Sequence, residues 1–150
     1  MNVAIDYTAS NGEISSQNSL HYMNPYNKDS MNQYESAIVS VGSILENFDH
    51  DKLFPVYGFG GIPWYNWPAG VSHCFNLTGV EDPWVYGTHG ILQAYKNSFA
   101  NGTGLYGPTM FSYFLEILIS DVEKRQPVNE YTVILIITDG AIHDMEKTKD

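Results

Sequence analysis

Asp6, Thr8 and Ser10 stand at alternate positions directly after the apolar run Val3-Ala4-Ile5. Along an extended backbone alternate side chains point the same way, so one carboxylate and two hydroxyls converge just past the carboxyl end of a short strand. All three are hard oxygen donors, of the kind that suits Mg²⁺, Mn²⁺ or Ca²⁺ rather than zinc. The same residue types also gather where a strand runs into a turn or helix, as caps and turn formers. The trio alone leaves both readings open. Two distant residues bear on the choice: Thr109, after a glycine loop, and Asp139, after the apolar run Val133-Ile134-Leu135-Ile136-Ile137. In an open α/β sheet, ligands lie beyond the carboxyl ends of strands, where the strand order reverses. If the strands ending at Asp6 and Asp139 are neighbours there, both carboxylates face one crevice and Thr109 supplies a third hydroxyl.

The elements that must position these groups read in order along the chain. A polar stretch from Asn11 to Ser30, rich in Asn, Ser and Gly, reads as loop. Ser30 with Gln33 resembles a capping box, and Ala37, Ile38, Val41, Ile44, Leu45 and Phe48 repeat at helical spacing. Leu53 to Gly60 reads as a second strand, which completes a right-handed βαβ unit. A Pro- and Trp-rich loop, Ile62 to Gly70, carries Trp64, Tyr65 and Trp67, and Val71 to Leu77 reads as a short edge strand. Helices are predicted near Thr88 to Phe99 and after Pro108-Thr109. The second of these has a stripe of Phe111, Phe114, Leu115, Leu118, Ile119 and Val122. Tyr131 to Thr138 lacks polar alternation, as a strand covered on both faces would. Asp144 to Asp150 reads as the first turns of a further helix. A strand 131–138 with no further neighbour would leave an aggregation-prone edge. The expectation is therefore a fragment of an α/β fold, incomplete at its carboxyl end.

With 150 residues and 43% hydrophobic content, the chain suits a single globular domain. Its formal charge of −10 argues against nucleic acid and against electrostatic docking of this segment on anionic lipid. One cysteine, Cys74, supplies neither a disulfide framework nor a cysteine zinc site and fits a reducing cytosol. The sequons at Asn76 and Asn101 are then chance matches. No apolar run approaches the ~20 residues of a membrane span, and the amino terminus lacks signal-peptide character.

The set Asp6-x-Thr8-x-Ser10, Thr109 and Asp139 resembles the metal-ion-dependent adhesion site of von Willebrand factor A domains. That resemblance implies a Rossmann-like, mostly parallel sheet flanked by helices. It also implies that Thr8, Ser10 and Thr109 ligate Mg²⁺ or Mn²⁺ (Ca²⁺ is a further candidate), with Asp6 and Asp139 acting through water or the ligand hydroxyls. Longer stretches are similar to copines: Asp6-Tyr7-Thr8-Ala9-Ser10-Asn11-Gly12, Ser19-Leu20-His21-Tyr22, Asp51-Lys52-Leu53-Phe54-Pro55, Leu105-Tyr106-Gly107-Pro108-Thr109 and Ile137-Thr138-Asp139-Gly140. The resemblance implies one partial copine-type A domain over residues 1–150 that captures an acidic residue of a protein partner. Copines are cytosolic, with two C2 domains that bind phospholipid in response to Ca²⁺. No C2 sequence is present here, so plasma-membrane recruitment is implied only through parts outside this chain. Plant ubiquitin ligases with a copine-type A domain and a RING finger are the alternative, but Val71-Ser72-His73 and Thr138-Asp139-Gly140 favour copines proper.

Competing chemistry is weakly supported. Gly102-Thr103-Gly104-Leu105-Tyr106-Gly107 spells a dinucleotide fingerprint but follows no strand and precedes a proline. His21, His50, His73, His89 and His143 lack zinc-type spacing and read as surface or packing residues. Asp6 and Asp139 could hold Mg²⁺ for phosphoryl transfer, yet no phosphate-cradling loop with its lysine accompanies them. A non-catalytic binding module is the expectation. Trp64, Tyr65 and Trp67 are candidates for a partner surface, against the simpler role of packing their own loop.

Overall fold

A computed structural model describes residues 1–27, 29–125 and 131–149. Strand β1, Asn2–Asp6, is buried along its whole length. It leads through a short 3₁₀ turn into the polar stretch, and then into helix α1, Gln33–Leu45. Strand β2, Leu53–Phe59, is followed by the short strands β3, Gly61–Ile62, β4, Phe75–Asn76, and β5, Trp84–Tyr86. Helix α2, Gly87–Ala100, strand β6, Gly104–Leu105, helix α3, Phe111–Arg125, strand β7, Ile134–Ile137, and helix α4, Met145–Thr148, complete the chain.

The main sheet has the order β4-β2-β1-β7, with β5 also on β2, and β3 and β6 form a separate antiparallel ribbon. β1 pairs in parallel with both β2 and β7, whereas β4 and β5 run antiparallel to β2. The pleat of β1 divides the core. Val3 and Ile5 pack with Ile38 of α1 and with Ile91, Tyr95 and Phe99 of α2. Ala4 faces the opposite layer, with Phe59 and with Phe111, Phe114 and Leu118 of α3. Each such side chain contributes about 1.5–3 kcal/mol of burial. The result is a mostly parallel sheet flanked by helices, consistent with the von Willebrand factor A-type fold. It places Asp6 at the carboxyl end of the central strand. Register pairs Ile5 with Ile137, so Thr138 emerges beside Asp6.

Several local expectations shift. The capping box at α1 is built by Asn32 and Glu35, not by Ser30 and Gln33. The Glu35 N–H donates to Asn32 Oδ1 at 2.9 Å and the Asn32 N–H to Glu35 Oε2 at 2.7 Å. The inward face of α1 is Tyr34, Glu35, Ile38 and Gly42, so of the apolar stripe only Ile38 is buried. Close approach to α2 selects this face, because a Cβ on Gly42 would lie 2.9 Å from Thr88 Cγ2. Ile44 and Phe48 are left 60% and 85% exposed. On α3, Ile119 is likewise exposed. Strand 134–137 is half-buried rather than covered on both faces, since β1 is its only strand partner among the described residues. Among those residues no helix is long and apolar enough to cross a membrane. Lys28 of the polar stretch and Asp150 of the final helical segment lie outside the described residues.

Candidate metal centre

The end of β1 turns so that the Asp6 carboxylate folds back onto its own chain. Asp6 Oδ1 accepts the Thr8 N–H at 2.8 Å and the Thr8 hydroxyl at 2.6 Å. Its other oxygen, Oδ2, accepts the Thr138 hydroxyl at 2.7 Å. Thr8 Oγ1 is the hub. It lies 3.0 Å from Ser10 Oγ, accepts the Thr109 hydroxyl at 3.3 Å and accepts Asn11 Nδ2 at 3.3 Å.

Backbone pairing explains how residues about a hundred positions apart meet. The Ala9 N–H donates to Tyr106 O at 2.6 Å and the Tyr106 N–H to Tyr7 O at 2.9 Å, which lays the loop before Thr109 alongside the segment after β1. Gly60, at φ 73°, lies against the other side of this segment. A Cβ there would meet Thr8 Cγ2 at 2.4 Å. Gly60→Ala combines this clash with an unfavourable positive φ and is expected to cost about 2–3 kcal/mol, read by urea denaturation. An unchanged denaturation midpoint would show that Thr8 has room to move.

Of the five predicted metal residues, Asp6, Thr8, Ser10 and Thr109 are joined by direct hydrogen bonds. Asp139 stands at the exposed rim, where its carboxylate accepts the Ala141 N–H at 3.2 Å. It joins the others through its charge and through its neighbour Thr138. Burial pushes the Asp6 carboxyl above the ordinary range, the hydrogen bonds from Thr8 and Thr138 partly offset this, and the charge of Asp139 adds to the rise. Asp6 is fully buried and pairs with no cationic side chain among the described residues.

The donor set suits a small hard cation. Metal–oxygen bonds of 2.0–2.1 Å in an octahedron place adjacent oxygens about 3 Å apart. Thr8 Oγ1 lies 3.0 Å from Ser10 Oγ and 3.3 Å from Thr109 Oγ1. The Thr8 hydroxyl hydrogen is directed at Asp6, so the lone-pair side of that oxygen faces Thr109 and Asn11, where a cation would replace the long 3.3 Å hydrogen bonds.

Three supporting residues were not singled out by spacing. Thr138 holds Asp6 Oδ2. Asn11 donates to Thr8 and is itself held by the Tyr34 hydroxyl, 2.6 Å from Asn11 Oδ1. His21 is fully buried, and its Nε2–H donates to the Asp6 carbonyl at 2.8 Å. Their only sequence signal was membership of the copine-like stretches.

The aromatic loop is divided in its roles. Trp64 packs edge-to-face on Tyr65 and sits over Gly79, and the Tyr65 hydroxyl donates to Asn76 O at 2.9 Å. Trp67 is 74% exposed.

Comparison with known proteins adds a family. The copine family model matches residues 19–150, which begins beyond Asp6, Thr8 and Ser10. Protein BONZAI 1 and Protein BONZAI 2 of Arabidopsis thaliana are each 43% identical to the chain over 151 residues, across 99% of its length. The chain spans 25% of each of these relatives. A family model over most of the chain and relatives along nearly all of it give one conclusion: the chain belongs to the copine family.

Proposed function

We propose that this chain is a divalent-cation-dependent protein-binding module. Thr8, Ser10 and Thr109 would hold Mg²⁺ or Mn²⁺ directly, with Asp6 and Asp139 acting through hydrogen-bonded hydroxyls or water. The observation that carries this reading is a fully buried carboxylate whose partners are hydroxyls and a backbone N–H, with no cationic side chain paired to it among the described residues. When bound, such a metal supplies an open coordination position for a carboxylate oxygen. Neutral hydroxyl ligands leave the dication only partly neutralised, so an acidic side chain of a partner protein is attracted to it. The chain's own residues do the rest. Asp6 accepts the Thr8 hydroxyl's hydrogen bond and so aligns that oxygen, while Thr138 fixes the Asp6 carboxylate.

Around this module we place the remaining functional reading: a non-catalytic part of a cytoplasmic, calcium-dependent phospholipid-binding protein. Membrane recruitment would then belong to regions outside this chain, and no nucleic-acid partner is expected at a net charge of −10. Capture of acidic peptides on the immobilised chain should require Mg²⁺ or Mn²⁺ and disappear in EDTA. Metal-independent capture would remove the mechanism. ATP turnover lost on Asp139→Ala would replace it with an enzyme.

A further inference from the structure

The loop behind Asp139 reaches both halves of the candidate metal centre. At its start, Thr138 donates to Asp6 Oδ2. Five residues on, it grips the segment that carries Thr109. The His143 N–H donates to Thr109 O at 2.9 Å, and the Thr109 N–H donates to His143 Nδ1 at 3.2 Å. Asp144 then receives the first two amides of α3, Phe111 N–H on Oδ1 and Ser112 N–H on Oδ2, each at 2.9 Å. The clasp is closed from behind. The Thr148 hydroxyl donates to the Asp144 carbonyl at 2.9 Å, and Lys147 lies over the Tyr113 ring of α3 at 4.7 Å.

We propose that His143 and Asp144 are positioning residues that lock Thr109 to the loop behind Asp139, so that both residues are presented to the metal as one unit. The proposal rests on the metal reading above. Thr109 precedes α3 by two residues, so any rotation of the first turn of that helix carries its hydroxyl away from Thr8. A carboxylate receiving the first two of the four free amides of that turn opposes the rotation directly. Asp144 is held ionised for the task. Burial pushes its carboxyl up, but hydrogen bonds from Ser112, Phe111 and Thr148 outweigh burial and hold it down at about 2. His143 supplies the second grip through backbone and ring, fixing Thr109 on both its N–H and its C=O. An ordinary cap would stabilise α3 and leave metal affinity alone. A splint changes affinity out of proportion to stability.

The test uses Asp144→Ala, Asp144→Asn and His143→Ala in the whole chain, with Phe54→Leu, a buried core variant at the amino end of β2, lowering stability away from the clasp and the metal centre. Mg²⁺ affinity is read by calorimetry, and amide hydrogen exchange is followed in EDTA. Asp144→Ala is expected to weaken Mg²⁺ binding about tenfold, with Asp144→Asn recovering much of it through the acceptor it keeps. Phe54→Leu should melt earlier with unchanged affinity. In EDTA, exchange at the Thr109 amide should accelerate about tenfold in Asp144→Ala, although Asp144 does not touch that amide. If Asp144→Ala does not fold, Asp144→Asn and His143→Ala carry the same comparison. Affinity and Thr109 exchange that follow melting temperature alone, as in Phe54→Leu, overturn the splint and leave the metal reading intact. A parent chain with no Mg²⁺ heat overturns the metal reading, and the exchange arm then decides whether the clasp holds Thr109.

Discussion

Asp6→Asn is expected to abolish the Mg²⁺-dependent rise in melting temperature while leaving the metal-free chain as stable as the parent or more so. The carboxylate sits fully buried at the end of the central strand, with no cationic side chain paired to it among the described residues, and Asp139 adds a second negative charge nearby. Its hydrogen bonds do not need that charge. An asparagine carbonyl oxygen still accepts the Thr8 N–H and hydroxyl, and the Thr138 hydroxyl can turn to accept from the new amide. Removing a desolvated, repelled charge therefore costs the metal-free fold little. The metal loses its principal counter-charge. At a Mg²⁺ concentration a hundredfold above the dissociation constant, binding stabilises the parent by about 2.7 kcal/mol. For a chain of this size that is roughly 5–10 °C of melting temperature. Paired melting curves in EDTA and in Mg²⁺ check it, and an equal Mg²⁺ shift in parent and variant would displace the metal from Asp6.

His21→Leu is expected to destabilise the fold by about 3–4 kcal/mol and to flatten its response to mild acid. The imidazole has no exposed surface, stacks on Tyr34 at 3.9 Å between centroids, and is bordered by Tyr7, Tyr95 and Phe99. Nε2–H donates to the Asp6 carbonyl and Nδ1 accepts the Tyr95 hydroxyl at 2.7 Å, which fixes a neutral tautomer. Leucine fills similar space but leaves a buried carbonyl and a buried hydroxyl short of a partner, each worth about 1–3 kcal/mol. Burial lowers the imidazole to about 4 from 6.5, against the hydrogen bond to Asp6 and the charge of Asp139, which both act to raise it. Above pH 6.5 the ring is neutral in folded and unfolded chains alike. Between 6.5 and about 4 only the unfolded chain takes up the proton, so this group's share of stability, about 3 kcal/mol, is lost as pH falls through that window. Asp6 works in the opposite sense, because its raised carboxyl gains a proton in the folded state. The difference between parent and His21→Leu, measured by urea denaturation in EDTA from pH 7 to pH 4.5, isolates the histidine. Parallel curves for the two chains would place a charged imidazole in the folded core.

The apolar runs and their order were enough to yield the α/β class, because a buried parallel strand and an amphipathic helix differ in pattern over a few residues. The alternation of Asp6 and Thr8 gives a shared face in the same local way, whereas Ser10 reaches Thr8 through the 3₁₀ turn Ala9–Asn11. Thr109 and Asp139 could be matched to that face only by assuming that the strands ending at Asp6 and Asp139 are neighbours, and the family resemblance implies the same set. The structure joins Thr109 to Thr8 and leaves Asp139 at the rim, behind Thr138.

Other features were not readable from local pattern. Periodicity turns the whole apolar stripe of α1 inward, yet only Ile38 of that stripe is buried, sharing the core face with Tyr34, Glu35 and Gly42, because α2 approaches closely at Gly42. His21 lies in a stretch that looks like polar loop and is nonetheless a buried strut between Tyr95 and Asp6. Thr138 belongs to a copine-like stretch, but its role comes only from the pairing of β7 with β1. The physical reason is common to all of them. Residue type and spacing determine which way a side chain points along its own element. Which group it then meets depends on strand order, register and helix approach, set by packing between residues as far apart as Asp6 and Thr138. Sequence alone pointed to the candidate oxygen donors; the tertiary structure decided which hydrogen bonds hold them.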